Sequence, residues 1–266
     1  MKITESGKLI PEKGFHQYEI SGNEIDLQIE FQTDCELFVR ICKASCLRIT
    51  SLIHKGVHVS LLYWNETQES VVFEENYEVR QDGSLILAYG ECNDADTIHQ
   101  TDVLLCEPQA EAVLSSASLV SSKKEYRIKT INRGVRTSAD IRNYAVVLKD
   151  GKLMIDAIGK IERGAKRSQS HQTSRALEFE EGQCATILPE LLIDENDVQA
   201  SHAMSIGRVD ENQLYYMMSR GLDLKQCTML ISQGYLLPVT DFISDEKIRE
   251  TLKMQLERKI QESCLM

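Results

Sequence analysis

The sequence has no surplus of cationic side chains. Its 30 Lys and Arg residues are outnumbered by 41 Asp and Glu, for a formal net charge of -11 at pH 7. Sequence-independent binding to nucleic acid or to an anionic membrane uses Lys and Arg to displace counterions, so neither is expected as a partner. The opening MKITESGKLI has no apolar stretch of the signal-peptide kind. No later run is long and uncharged enough to span a bilayer. The expectation is an acidic cytoplasmic protein, and 266 residues can bury a substantial core without disulfide or metal.

Motifs for bond chemistry are missing too. There is no G-x-x-x-x-G-K-[ST] phosphate loop, no G-x-S-x-G nucleophile elbow and no H-E-x-x-H metal helix. Any ATP hydrolysis therefore belongs to a partner, and no residue is assigned a catalytic role. The 8 cysteines are Cys35, Cys42, Cys46, Cys92, Cys106, Cys184, Cys227 and Cys264, and none forms a C-x-x-C pair. In a reducing compartment such thiols stay free. Cys42 and Cys46 come nearest to a pair and read as packing residues, because free cysteine is among the most buried residue types.

What is present, from Phe15 to Ile206, is a series of short alternating segments such as LFVRI, HVSLLYW, SVVFEE, SLILAYG, EYRIKTI and LMIDAIG. Alternation of this kind reads as strands, and helical periodicity is absent over the whole span. A sandwich, a closed barrel and a solenoid all remain open on pattern alone. Tight hairpin signals are few, with Asp-Gly only at Asp82-Gly83 and Asp150-Gly151, which leans towards a solenoid. After Arg208 the pattern turns helical. Asp210 with Gln213 and Asp223 with Gln226 have capping spacing, Gly221 and Gly234 are placed as helix stops, and a third helix beginning at Ser244 carries Ile248, Leu252, Leu256 and Ile260 on one face. The expected division is a short N-terminal segment 1–14, a β body 15–208 and a helical region 209–266.

ATILPELLIDENDV followed by ASHAMSIGRVDENQLYYMMSRGLDLKQCTMLISQGY resembles the SufB/SufD family of iron–sulfur cluster assembly proteins, the D-subunit most closely. The elements that carry the likeness are Pro189, Ser201-His202, Gly207 to Asp210, Tyr215-Tyr216, Ser219-Arg220-Gly221 and Gly234-Tyr235. EPQAEAVLSSASLV, INRGVRTSADIRN and GKIERGAKRSQSHQTSRAL upstream are similar to successive family segments. Together they run in family order from Leu104 to Phe242. The resemblance implies a right-handed parallel β-helix followed by a C-terminal helical domain. It also implies a non-catalytic scaffold that handles a transient iron–sulfur cluster, pairs with a SufB-like subunit or with itself, and docks a SufC-like ATPase through its helices.

His202 stands at the family position associated with cluster ligation, and Cys184 is the nearest thiol in sequence. Imidazole is a labile iron ligand, which suits a scaffold that must release what it holds. The structural alternative for His202 is a hydrogen-bonded histidine at the end of the β-helix, and for Cys184 it is a place in the core, which is favoured. The docking surface is expected to involve Tyr215, Arg220, Gly221 and Tyr235, although capping explains Arg220 and Gly221 more simply. Two departures bear on the chemistry: Ala200 stands where many D-subunits have cysteine, and Asn132 where histidine is common. Competing readings are a β-helix carbohydrate-active enzyme with a paired-carboxylate groove, and a structural relative without metal chemistry.

Overall fold

The computed structural model describes residues 1–178 and 184–263. Cys264 lies outside them. Nine strands form one parallel sheet: β1 (Lys2–Ile3), β3 (Gly14–Ser21), β5 (Cys35–Lys43), β7 (His58–Asn65), β9 (Ser84–Glu91), β11 (Glu111–Val120), β13 (Ser138–Val147), β15 (Gln169–Glu178) and β17 (Gln199–Arg208). Eight form the other: β2 (Gly7–Leu9), β4 (Glu24–Phe31), β6 (Cys46–Ile53), β8 (Val71–Val79), β10 (Thr97–Leu105), β12 (Lys123–Asn132), β14 (Lys152–Ile161) and β16 (Cys184–Ile193). Successive strands alternate between the sheets, and each strand pairs with the one two places on. The chain is a parallel β-helix, and of the three all-β architectures only the solenoid has this connectivity. Coiling begins earlier than the expected Phe15, because β1 and β2 already pair with β3 and β4.

Period-2 patterning builds the interior. In β4, Ile25, Leu27, Ile29 and Phe31 are buried while Glu24, Asp26 and Gln28 face water. In-register stacking puts these residues on Leu47, Ile49, Ser51 and Ile53 of β6, so each coil completes the core of its neighbour. The coils lengthen along the axis: Glu24 pairs with Cys46, 22 residues on, and Lys152 with Cys184, 32 on. One corner repeats five times. Gly56, Asp82, Gln109, Arg136 and Arg167 all have left-handed backbones, and each N–H donates to a carbonyl of the next coil's turn at 2.5–3.1 Å. Only one of the five is glycine, which is why the turn is inconspicuous in the sequence.

The middle coils hold a buried ionic network. His99 stacks between Phe73 (4.2 Å between centroids) and Tyr126 (4.9 Å). Its Nε2 hydrogen-bonds Glu91 at 3.0 Å, and its Nδ1 lies 3.8 Å from Glu75. Glu75 accepts hydrogen bonds from Tyr77, Tyr89 and Thr101. Lys124 lies 3.6 Å from Glu91 and donates to Thr97, Asn93 and the Ala95 carbonyl. Two acids thus balance two bases out of water.

The helices are α1 (Glu211–Ser219), α2 (Leu224–Leu236) and α3 (Glu246–Ser263), with a 3₁₀ turn at Leu237–Phe242. Asp223 and Gln226 form the expected reciprocal capping box on α2. Asp210 caps α1 through Asn212 instead of Gln213. Gly221 adopts φ +95° after α1, but Gly234 lies within α2, which continues to Leu236. The helices are more than an appendix. They cover the outer face of the nine-stranded sheet and share a second core with it, joining Phe38, Leu62, Trp64, Leu119, Val146 and Leu177 to Ile231, Leu236, Val239, Leu252, Leu256 and Ile260. Ties to early coils run from Ser244 N–H to Glu36 (2.6 Å), from Ser60 to the Phe242 carbonyl (3.2 Å), and from Lys259 to Asp94.

Candidate functional site

The last coil differs from every coil before it. β16 and β17 are the free edges of their sheets, so no further rung covers their lumen-facing side chains. Almost all of β17 is exposed, and Leu188, Leu192, Ile193 and Ile206 add exposed apolar surface at this end. Pro189 fits such an edge, since it has no N–H for a further strand to use.

Register fixes which way His202 faces. It pairs with Gln172, which pairs with Ile141, then Leu114, then Leu87. In-register partners in a parallel sheet share a face, so His202 tops a lumen ladder that turns from apolar to polar in its last two rungs. A neighbouring ladder is polar as well: Ser116 donates to Asn143 at 2.7 Å, and Asn143 donates to Ser174 at 3.1 Å, beneath Met204. His202 is exposed, with Ala200 and Met204 as its neighbours on the same face of β17.

Cys184 does not join it. Ala185 and Ile187 of β16 pack on the core, so Cys184 points outward, in register with Lys152, and is exposed. The expected core position is thereby corrected: the alternation of β16 places Cys184 in the outward phase. His202 and Cys184 belong to different sheets and opposite faces. Among the described residues no group of three or more His, Cys, Asp and Glu side chains is placed to hold a metal ion. His202 is thus a single exposed imidazole at an open sheet edge. Five other thiols are disfavoured as thiolates. Burial pushes Cys35 up to about 11 and Cys92 up to about 12, and raises Cys42, Cys46 and Cys106. Asn132 is buried and donates to Thr137 (2.9 Å) and to the Gln169 carbonyl (3.1 Å).

The four expected docking residues separate into two kinds. Tyr215 is 77% exposed on α1, a helix with no buried residue, and its neighbour Tyr216 is 60% exposed. Arg220 ends α1 with its guanidinium 5.3 Å from the Tyr216 ring centroid, and Gly221 supplies the left-handed turn. Tyr235 is half-buried and packs edge-on against Tyr144 at 6.4 Å, a structural contact. Between α1, α2 and the end of β15 lies a cavity of about 490 Å³ lined by Leu177, Val209, Gln213, Met217, Ile231 and Tyr235.

A groove of about 470 Å³ on the outer face of the eight-stranded sheet contains Glu30, Glu78 and Asp102. Hydrogen bonds from Lys8, His54 and Gln32 hold Glu30 down to about 2, the reverse of what a glycosidase general acid requires. Glu78 is paired with Arg80 at 3.1 Å. The alternation of the strands puts Glu75, His99 and Lys124 in inward phases, but that these groups meet as one network follows only from the register of the coils.

Comparison with known proteins agrees with this architecture. The family model "SUF system FeS cluster assembly, SufBD core domain" matches residues 43–235. "Iron-sulfur cluster assembly protein SufD" of Bacillus subtilis (strain 168) is 32% identical over 185 residues, covering 68% of this chain and 42% of that protein. An "Iron-sulfur cluster assembly SufBD family protein" of Staphylococcus epidermidis (strain ATCC 12228 / FDA PCI 1200) is 22% identical over 217 residues, covering 79% and 46% respectively. The chain spans less than half the length of these relatives. No helix among the described residues is long and apolar enough to cross a membrane. With the SufBD core model covering most of a parallel β-helix that ends in packed helices, this chain belongs to the SufB/SufD family of iron–sulfur cluster assembly proteins and is SufD-like.

Proposed function

We propose that this chain is a non-catalytic scaffold subunit that handles an iron–sulfur cluster as cargo at the open end of its β-helix, against a SufB-like subunit or a second copy. The observation that carries this reading is the uncovered last coil, with free strand edges, exposed apolar side chains and the exposed imidazole of His202. A bulky side chain in place of Ala200, on the same face as His202, would obstruct an approaching chain. One nitrogen ligand from this side and thiolates from the other would make a site that opens when the subunits shift. The exposed aromatic face of α1 docks a SufC-like ATPase. Because α2, α3 and the nine-stranded sheet share one core, force applied to the helices reaches the strands that carry His202.

Iron–sulfur enzyme activity in a cytoplasmic complementation strain tests the role of His202. His202→Ala lowers that activity while the complex still co-purifies, and Cys184→Ser, on the outward face, has a smaller effect. Full activity with His202→Ala in an intact complex favours the second reading, a structural family member without metal chemistry, which Ala200 and the committed hydrogen bonds of Asn132 support. For docking, Tyr215→Ala with Tyr216→Ala removes exposed rings from a helix with no buried residue, so stability changes by less than about 1 kcal/mol. Co-purification with the ATPase is lost in that double variant, and undiminished co-purification contradicts this placement.

A further inference from the structure

Beneath His202 lies an acceptor with nothing to accept. Gln172 is buried, and its side chain crosses the lumen from β15 to β16, where Nε2 donates to the Glu190 carbonyl at 3.0 Å. A carbonyl partner requires the amide nitrogen on that side, which fixes the orientation of the amide. Oε1 is left buried without a hydrogen-bond partner, and native proteins leave few such atoms unpaired. The crossing depends on Gly159, where a Cβ would collide with Ser170 Oγ and lie 3.0 Å from Gln172 Nε2.

Few donors can reach Oε1. On the closed side the next rung is Ile141, which offers none. Along β15, the Ser174 oxygen accepts from the Asn143 amide and keeps its own O–H, and Ser170 has a free hydroxyl. On the open side the next rung, about 4.8 Å away, is His202. We propose that Gln172 is the positioning residue of His202: its amide oxygen accepts the hydrogen of one ring nitrogen and turns the other nitrogen, with its lone pair, out of the open coil. Histidines that bind metal characteristically donate their second nitrogen in this way, which holds tautomer and ring direction together. The purpose of this arrangement rests on the scaffold reading above, whereas the arrangement itself does not depend on it.

The test is nitrogen-detected NMR of the ¹⁵N-labelled full chain at about pH 8, where an ordinary imidazole of pKa about 6.5 is neutral. The His202 signals are identified by their loss in His202→Ala. In the wild-type chain the two ring nitrogens separate into one protonated and one bare, a single tautomer. Gln172→Met keeps the bulk and removes the acceptor, so the tautomer ratio falls about threefold to tenfold, the worth of one hydrogen bond. Ser170→Ala leaves the ratio unchanged. Averaged tautomers in the wild-type chain overturn the proposal whether or not Gln172→Met folds. So does an unchanged ratio in a Gln172→Met protein with wild-type thermal unfolding, or an equal loss in Ser170→Ala. A fixed tautomer alongside full cellular activity of His202→Ala sustains the positioning and refutes the cluster role.

Discussion

His99 shows at the residue scale how a polar side chain survives in a solenoid core. Burial alone pushes its imidazole towards neutrality, but the Glu75 and Glu91 carboxylates outweigh that and raise its pKa. Glu91 is the mirror case: burial pushes it up, yet His99 and Lys124 bring it down. The signs define a window. A raised histidine contributes stability that is complete below its unfolded pKa of about 6.5 and fades as pH rises through the folded value. The depressed Glu91 contributes above its unfolded value of about 4.3 and loses that contribution as pH falls through the folded one. The joint contribution of His99 and Glu91 is therefore expected to be greatest between about pH 4.5 and 6.5, as measured by urea unfolding across pH. Replacing His99 with Phe keeps the aromatic stack but leaves the two buried carboxylates with Lys124 as their one cation, so one buried negative charge is uncompensated. The expected loss is about 3–5 kcal/mol, and the alkaline fade present in the wild type disappears. Equal pH profiles for the two proteins would show that His99 is neutral in the folded chain.

Caps and edges decide behaviour at the element scale. The α2 capping box satisfies one helix N–H with the Asp223 carboxylate and the Asp223 N–H with the Gln226 side chain. Asp223→Ala removes the first bond and should cost about 1 kcal/mol, read as a lower denaturant midpoint with an unchanged slope. No such internal satisfaction exists for β17. Its outer edge presents unpaired backbone groups, the usual template for another chain. Within this element the alternation that buries Gln172 one rung below exposes His202, so identical patterning has opposite outcomes depending on whether another coil follows.

The two cores make one cooperative body at the scale of the whole molecule. The inner core runs the length of the solenoid, and the outer one joins the nine-stranded sheet to the helices from Phe38 of β5 to Leu177 of β15. Ending the chain after Arg208 would expose Phe38, Leu62, Trp64, Leu119, Val146 and Leu177 together, a continuous apolar strip of the kind that aggregates. Such a truncated chain is expected to be insoluble or to elute as large aggregates in size-exclusion chromatography. A soluble, cooperatively unfolding β body would show that the outer core is dispensable. Docking is better tested by substitutions on α1, because removing the helices damages the sheet as well.

Period-2 alternation is a local property, so the strands, the change to helix after Arg208 and the Asp223 capping box were legible from the residues, and the ordered motifs from Pro189 to Tyr235 identified the family. Other features depend on what stacks on what. Alternation tells two phases apart but does not say which faces the lumen, so Cys184 read as a core residue until the packing of Ala185 and Ile187 placed it outside. Residues from separate coils meet only through register, which is why Gln172 beneath His202, and Glu75, Glu91, His99 and Lys124 as one network, could not be found along the chain. The stacked corner escaped for the same reason: Asp82, Gln109, Arg136 and Arg167 hold left-handed backbones because the next coil's carbonyl accepts each N–H, a reward that only the coiled structure supplies. The sequence determined which residues alternate and where helices start, and the winding of the coils decided which of them touch.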